Sequence, residues 1–135
     1  MKFPVFIQKD PGSDYGVTVP DLPGCFSAGS SIEAAFDNAG EAILAHIEGM
    51  LLDHESIPVP RPIETLKEEY PAKDLVWGLV MVDIGKLSKE VRRINISMPE
   101  HILSKIDSYA HSEGETRSGF LASAAIEYIT RHSFQ

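Results

Sequence analysis

Residues 92–120 read RRINISMPEHILSKIDSYAHSEGETRSGF: a short alternating run, a proline, and two amphipathic stretches parted by a glycine. Ile94, Ile96 and Met98 fall on one face of the run, and Arg93, Asn95 and Ser97 on the other, which is the period of a strand. Pro99 suits the first position of a helix. Ile102, Leu103, Ile106, Tyr109 and Ala110 then make one apolar stripe, Gly114 falls where a helix C-cap belongs, and Thr116 is placed to cap a second helix. That helix carries Phe120, Leu121, Ala124, Ala125, Tyr128 and Ile129 on its stripe. One strand and two helices of about forty residues cannot bury three apolar faces alone, and a lone strand leaves its edge unpaired. The segment therefore has to dimerise, with Ile94, Ile96 and Met98 as the dimer core.

Two such strands paired antiparallel would turn Arg93, Asn95 and Ser97 outward twice. A two-stranded ribbon fits the major groove of DNA, where arginine suits guanine and asparagine suits adenine. The polar face thus reads as a set of base contacts, against the plainer reading of a solvated surface.

Upstream, KFPVFIQ and YGVTVPDL are short β-rich runs joined by the turn signal KDPGSD, and CFSAG after PDLPG is a third strand. Ser30 with Glu33 forms a capping box, and Ile32, Phe36, Ala39, Ile43, Ile47 and Leu51 recur at helical steps, predicting a helix of about five turns. IPVPRP cannot be helical and reads as an extended connection; IETLKEEYP reads as a turn or two of helix. The apolar run LVWGLVMVDI predicts a strand covered on both faces. The expected organisation is a β-β-β-α-β module over 1–85, a polar linker over 86–91 and a β-α-α unit over 92–135, an α+β chain.

Charge divides along the same line. Residues 1–85 hold five Lys/Arg against fourteen Asp/Glu, whereas the remainder holds seven against six, within a formal net charge of -8. The acidic part repels nucleic acid and attracts basic partners, and the tail is the portion suited to phosphate. With 43% apolar residues in 135, a real core is within reach. No apolar run of membrane-spanning length and no signal-peptide pattern appear, which places the expected location in the cytoplasm, away from membranes. The single cysteine, Cys25, reads as a small apolar residue.

The tail resembles the ribbon-helix-helix family of DNA-binding proteins on its alternation, Pro99 and GETRSGF. The resemblance implies that Arg93, Asn95 and Ser97 contact bases of an operator and that Thr116, Arg117 and Ser118 clamp a backbone phosphate, where free amides and the helix dipole favour an anion. The stretch YGVTVPDLPGCFSAGSSIEAAFDNAGEAI, followed by WGLVMVDI, resembles the HicB family of antitoxins. That resemblance implies a truncated ribonuclease H-like fold, a partner in HicA, a small basic toxin that cleaves RNA with a histidine, and repression of the chain's own operon as a homodimer or tetramer. Asp14 and Asp21 beside Tyr15, Leu22 and Phe26 would suit a rim and anchors against a basic protein; equally, the prolines and glycine of PDLPGC simply shape a connection.

Catalysis finds no support in the residues. Two-metal nuclease chemistry needs converging carboxylates, usually one in the middle of the first strand, and KFPVFIQ has none; Asp10 and Asp14 sit in a turn, and Asp83 ends the last strand alone. His46, Met50 and His54 share helical spacing without a third and fourth ligand, so no metal or other cofactor is expected. The reading from a different class is a stand-alone repressor whose first module senses a small molecule or metal.

Overall fold

A single strand organises the first module. In the computed structural model, which describes residues 1–87 and 90–133, β1 (Lys2–Lys9) pairs antiparallel with β2 (Tyr15–Thr18) on one side and β4 (Val76–Met81) on the other, while β3 (Phe26–Gly29) extends the sheet beyond β2. The order is β3-β2-β1-β4, with Phe6 opposite both Thr18 and Trp77. Pro4 is tolerated within β1 because the β2 ladder runs only from Phe6 to Lys9, so a missing N–H at residue 4 interrupts no bond on that side.

Strand alternation gives β1 two apolar faces. Phe3, Val5 and Ile7 lie in the main core with Val17, Val80 and Val82, under α1 (Ile32–Leu52). Pro4 and Phe6 point the other way. There Phe6 meets Tyr70 and Trp77 at ring separations of 5.0 and 5.2 Å, beside α2 (Ile63–Glu69), whose Leu66 is fully buried. The helix α1 runs 21 residues, nearer six turns than five, and is capped by Ser31, whose Oγ accepts from the Ala34 amide at 3.0 Å. The expected capping box from Ser30 to Glu33 is therefore shifted by one and loses its reciprocal acid.

The last strand corrects a second expectation. β4 stands at the sheet edge, and Val76, Leu79 and Met81 are exposed, Leu79 by 55%. A continuous apolar run is the mark of a doubly covered strand only when layers exist to cover it. Here α1 shields Val80, and Phe36 lies so close to Gly78 that a Cβ there would stand 2.6 Å from the ring; the outer side of β4 beyond Trp77 stays open.

After β4 a 3₁₀ turn (Ile84–Lys86) leads toward the tail. Of the expected linker over 86–91, Ser88 and Lys89 lie outside the described residues. Residues 90–99 form no helix or strand within the single chain, and Ile94 and Ile96 are 76% and 61% exposed. This segment, expected as a strand, has no ladder partner here; the expected partner was a second copy. Pro99 is the N-cap of α3 (Glu100–Ser112) rather than its first residue, its carbonyl accepting from Ile102 and Leu103. Gly114 takes the left-handed conformation, φ 71°, that ends the helix. Thr116 caps α4 (Arg117–His132), accepting from the Gly119 amide at 3.0 Å.

The helix pair leans on the first module. Leu87, Ala122 and Ile126 pack against the main core, the Thr130 hydroxyl donates to the Ile57 carbonyl, and Lys2 pairs with Glu113 at 2.5 Å.

Candidate functional site

Two surfaces carry the residues singled out from the sequence. On the first module, cross-strand register places Gln8, Gly16, Thr18, Phe26 and Ala28 on the sheet face that points away from α1. Beyond Phe6 and Trp77 no helix covers this face, and a shallow depression of about 300 Å³ lies there, lined by Gln8, Asp10, Ser13, Asp14, Thr18, Phe26 and Ser27 among others. Phe26 is 67% exposed and lines the depression together with Asp10 and Asp14, which stand at its other end by the β1–β2 turn. An exposed aromatic ring on a face that also carries carboxylates has the composition of a protein-binding anchor with a charge match for a basic partner.

Of the five residues expected to meet such a partner, only Asp14 and Phe26 line this depression. Leu22 is fully buried in the main core. Asp21 is buried too, and accepts from the Arg61 amide at 2.9 Å and from Arg61 Nε at 2.7 Å; Arg61 also reaches Glu69 at 2.6 Å. These bonds raise the Arg61 guanidinium above its ordinary value, chiefly through Asp21. Asp21 thus pins the loop to the proline-rich connection and Leu22 anchors it in the core, so neither is open at this surface. Tyr15 sits on the α1 side of β2, packed against the core with Lys9 Nζ 5.6 Å from its ring centre. Asp10, Gln8 and Thr18 were missed, although polar positions alternating with core residues along two paired strands mark them.

Cys25 is buried, and burial pushes its thiol pKa up, away from reactivity. His54 has a φ of 57° and lies past the end of α1, so the His46, Met50 and His54 spacing does not continue on one helical face. Among the described residues no three His, Cys, Asp or Glu side chains come together as metal ligands.

In the tail, Arg93, Asn95 and Ser97 are exposed. Met98 is half-buried, in contrast to Ile94 and Ile96. Ile102, Tyr109, Tyr128 and Ile129 are, like the two isoleucines, large apolar groups open to solvent. At the start of α4, Thr116, Arg117 and Ser118 are exposed, and Arg117 forms a two-pronged pair with Asp107, both bonds 2.8 Å. That pair holds the Asp107 carboxyl below the usual carboxylate range.

Residues 3–125 match the family model described as HicB_like antitoxin of bacterial toxin-antitoxin system, and the chain belongs to that family. It is similar to the crystal structure of the Burkholderia pseudomallei antitoxin HicB, with 45% identity and a TM-score of 0.76 over 96% of this chain and 98% of that one. It is also 42% identical over 127 residues to an uncharacterized 14.9 kDa protein of the rep-hol intergenic region of Haemophilus phage HP1, covering 93% of this chain and 95% of that protein. A chain from the HicA3 and HicB3 toxin-antitoxin complex matches 62% of this chain and 99% of its own length, at 29% identity and a TM-score of 0.53. No described helix is long and apolar enough to cross a membrane.

Proposed function

We propose that this antitoxin neutralises a small, basic, RNA-cleaving toxin of the HicA kind and represses its own operon, without catalysing a reaction itself. The observation that carries the first half is the open sheet face, where an exposed Phe26 shares a depression with Asp10 and Asp14 in a module of strongly negative charge. Phe26 enters the toxin as an anchor and the carboxylates face its RNA-binding cations, so neutralisation is a matter of covering the toxin's working surface. The likeness to a chain of the HicA3 and HicB3 complex supports this partner. In the same reading the first module is a truncated ribonuclease H-like unit whose carboxylates do no chemistry, and both partners work in the cytoplasm.

The second half rests on the bare apolar side of the tail. A second copy supplies the missing strand: residues 92–98 of two chains pair as a ribbon, burying Ile94, Ile96 and Met98 over four helices. The ribbon's other side carries Arg93, Asn95 and Ser97 to the bases, and the first turn of α4 meets a phosphate.

The two activities come apart by mutation. In a host carrying the toxin under induction, Phe26→Ala weakens toxin capture by about tenfold or more, as loss of an aromatic anchor does, and leaves DNA binding alone. Arg93→Ala abolishes retardation of a DNA fragment from upstream of the gene and leaves growth rescue intact. If both substitutions affected both readouts equally, the division of labour would be wrong.

A further inference from the structure

We infer that Asp83 weakens DNA binding from within the chain, by holding a carboxylate against the turn of α4 that is offered to a backbone phosphate; the inference rests on the DNA-contacting reading of the tail. Asp83 follows β4 and stabilises the 3₁₀ turn by accepting from the Gly85 amide at 2.9 Å through Oδ1. The same oxygen lies 2.5 Å from the point where a Cβ on Gly119 would stand, and Thr116 Oγ1 lies 3.1 Å from that point. A Cβ on Gly85 would in turn stand 3.4 Å from the Gly119 backbone. Two glycines, one on each side, are what allow the acid to lie this close to the first turn of α4.

The position has two opposed consequences. A carboxylate at a helix N-terminus steadies the helix, because it faces the positive end of the dipole. A phosphate drawn to the same end meets that negative charge at short range. Among the described residues Asp83 forms no ion pair of its own: the buried Met1 ammonium next to it donates to the Val82 carbonyl and the Ser123 hydroxyl and pairs with Glu115, and Arg117 is engaged by Asp107. The Thr116 hydroxyl oxygen accepts from the Gly119 amide and still has its O–H to donate, so an arriving phosphate meets that hydroxyl and the amides of Arg117 and Ser118, beside the acid. Asp83 belongs to the first module, so the position of that module against α4 sets how strongly the tail holds DNA.

The test uses the full chain and an arbitrary-sequence duplex of about 30 bp, because phosphate contact does not depend on base sequence. Asp83→Asn keeps the shape and the acceptor for Gly85 and removes the charge. Fluorescence anisotropy is expected to show binding about three- to tenfold tighter at ~50 mM salt, a gain that shrinks toward ~200 mM as screening takes over. Thermal melting of the free variant is expected to fall slightly, so the two readouts move in opposite directions. Asp83→Ser, which keeps an oxygen for Gly85, guards against a folding defect in the first variant and is expected to behave alike. Folded variants that bind the duplex no better than the parent would overturn the role of Asp83. A parent chain without salt-dependent duplex binding, unchanged by Arg93→Ala, overturns the reading of the tail itself, a pattern distinct from the first.

Discussion

The helix α1 and the pair α3 and α4 carry comparable apolar stripes and bury them to different degrees. Ala35, Ala39, Ile43 and Ile47 are sealed under the sheet, whereas Ile102, Tyr109, Tyr128 and Ile129 stand open to water. Helix α4 even divides its circumference: Gly119, Ala122, Ser123 and Ile126 turn toward the first module, and Tyr128 and Ile129 turn away. Burial is complete where the sheet supplies a second layer and partial along the outer sides of α3 and α4, the surface that the proposed second copy would cover.

The largest effect that would sharpen this contrast comes from the sealed side. Ile43→Ala leaves a cavity in the main core and is expected to cost about 2–5 kcal/mol, read by urea unfolding at fixed protein concentration. On the open side, Ile96→Glu should cost the free first module almost nothing yet split the dimer, with sedimentation showing monomer at concentrations where the parent pairs, and operator binding falling by two orders of magnitude or so. Retention of the dimer in that variant would break the comparison outright. A smaller loss follows from Arg61→Ala, which strands the buried Asp21 carboxylate and is expected to cost about 1–3 kcal/mol; its Tm should fall, with toxin capture kept at temperatures where the protein is folded.

The smallest effect is one of pH. The Asp107 carboxyl is held low by Arg117, so the folded state binds that proton less readily than the unfolded chain. Its stabilisation is full above the ordinary carboxylate range and is lost as pH falls through the folded value. Asp107→Asn should therefore melt slightly below the parent at neutral pH and converge with it in acid; both side chains are half-exposed, so the gap stays small.

Local signals in the sequence located the elements well, because caps, turns and periodicity act over a few residues. Thr116, Gly114 and the Asp10 to Ser13 turn stand where expected. What was not legible was which surfaces meet over long separations. LVWGLVMVDI has the composition of a central strand, and nothing local to it says that only β1 lies beside it. Asp21 and Leu22 stand just before the exposed Phe26, yet Leu22 lies in the main core and Asp21 is held by Arg61, forty residues away. The docking of Gly119 on Asp83 leaves only the faint trace of small residues at four-residue spacing in α4, Gly119 and Ser123.

The sheet order has a consequence for synthesis. β1 leaves the ribosome before its neighbour β4, which is encoded some seventy residues later, so the sheet cannot close until β4 has been made. Pairings this distant in sequence are slow to form, and the waiting β1 exposes Phe3, Val5 and Ile7 meanwhile. A product truncated in the proline-rich connection would therefore leave β1 without its β4 partner from Lys2 to Ile7.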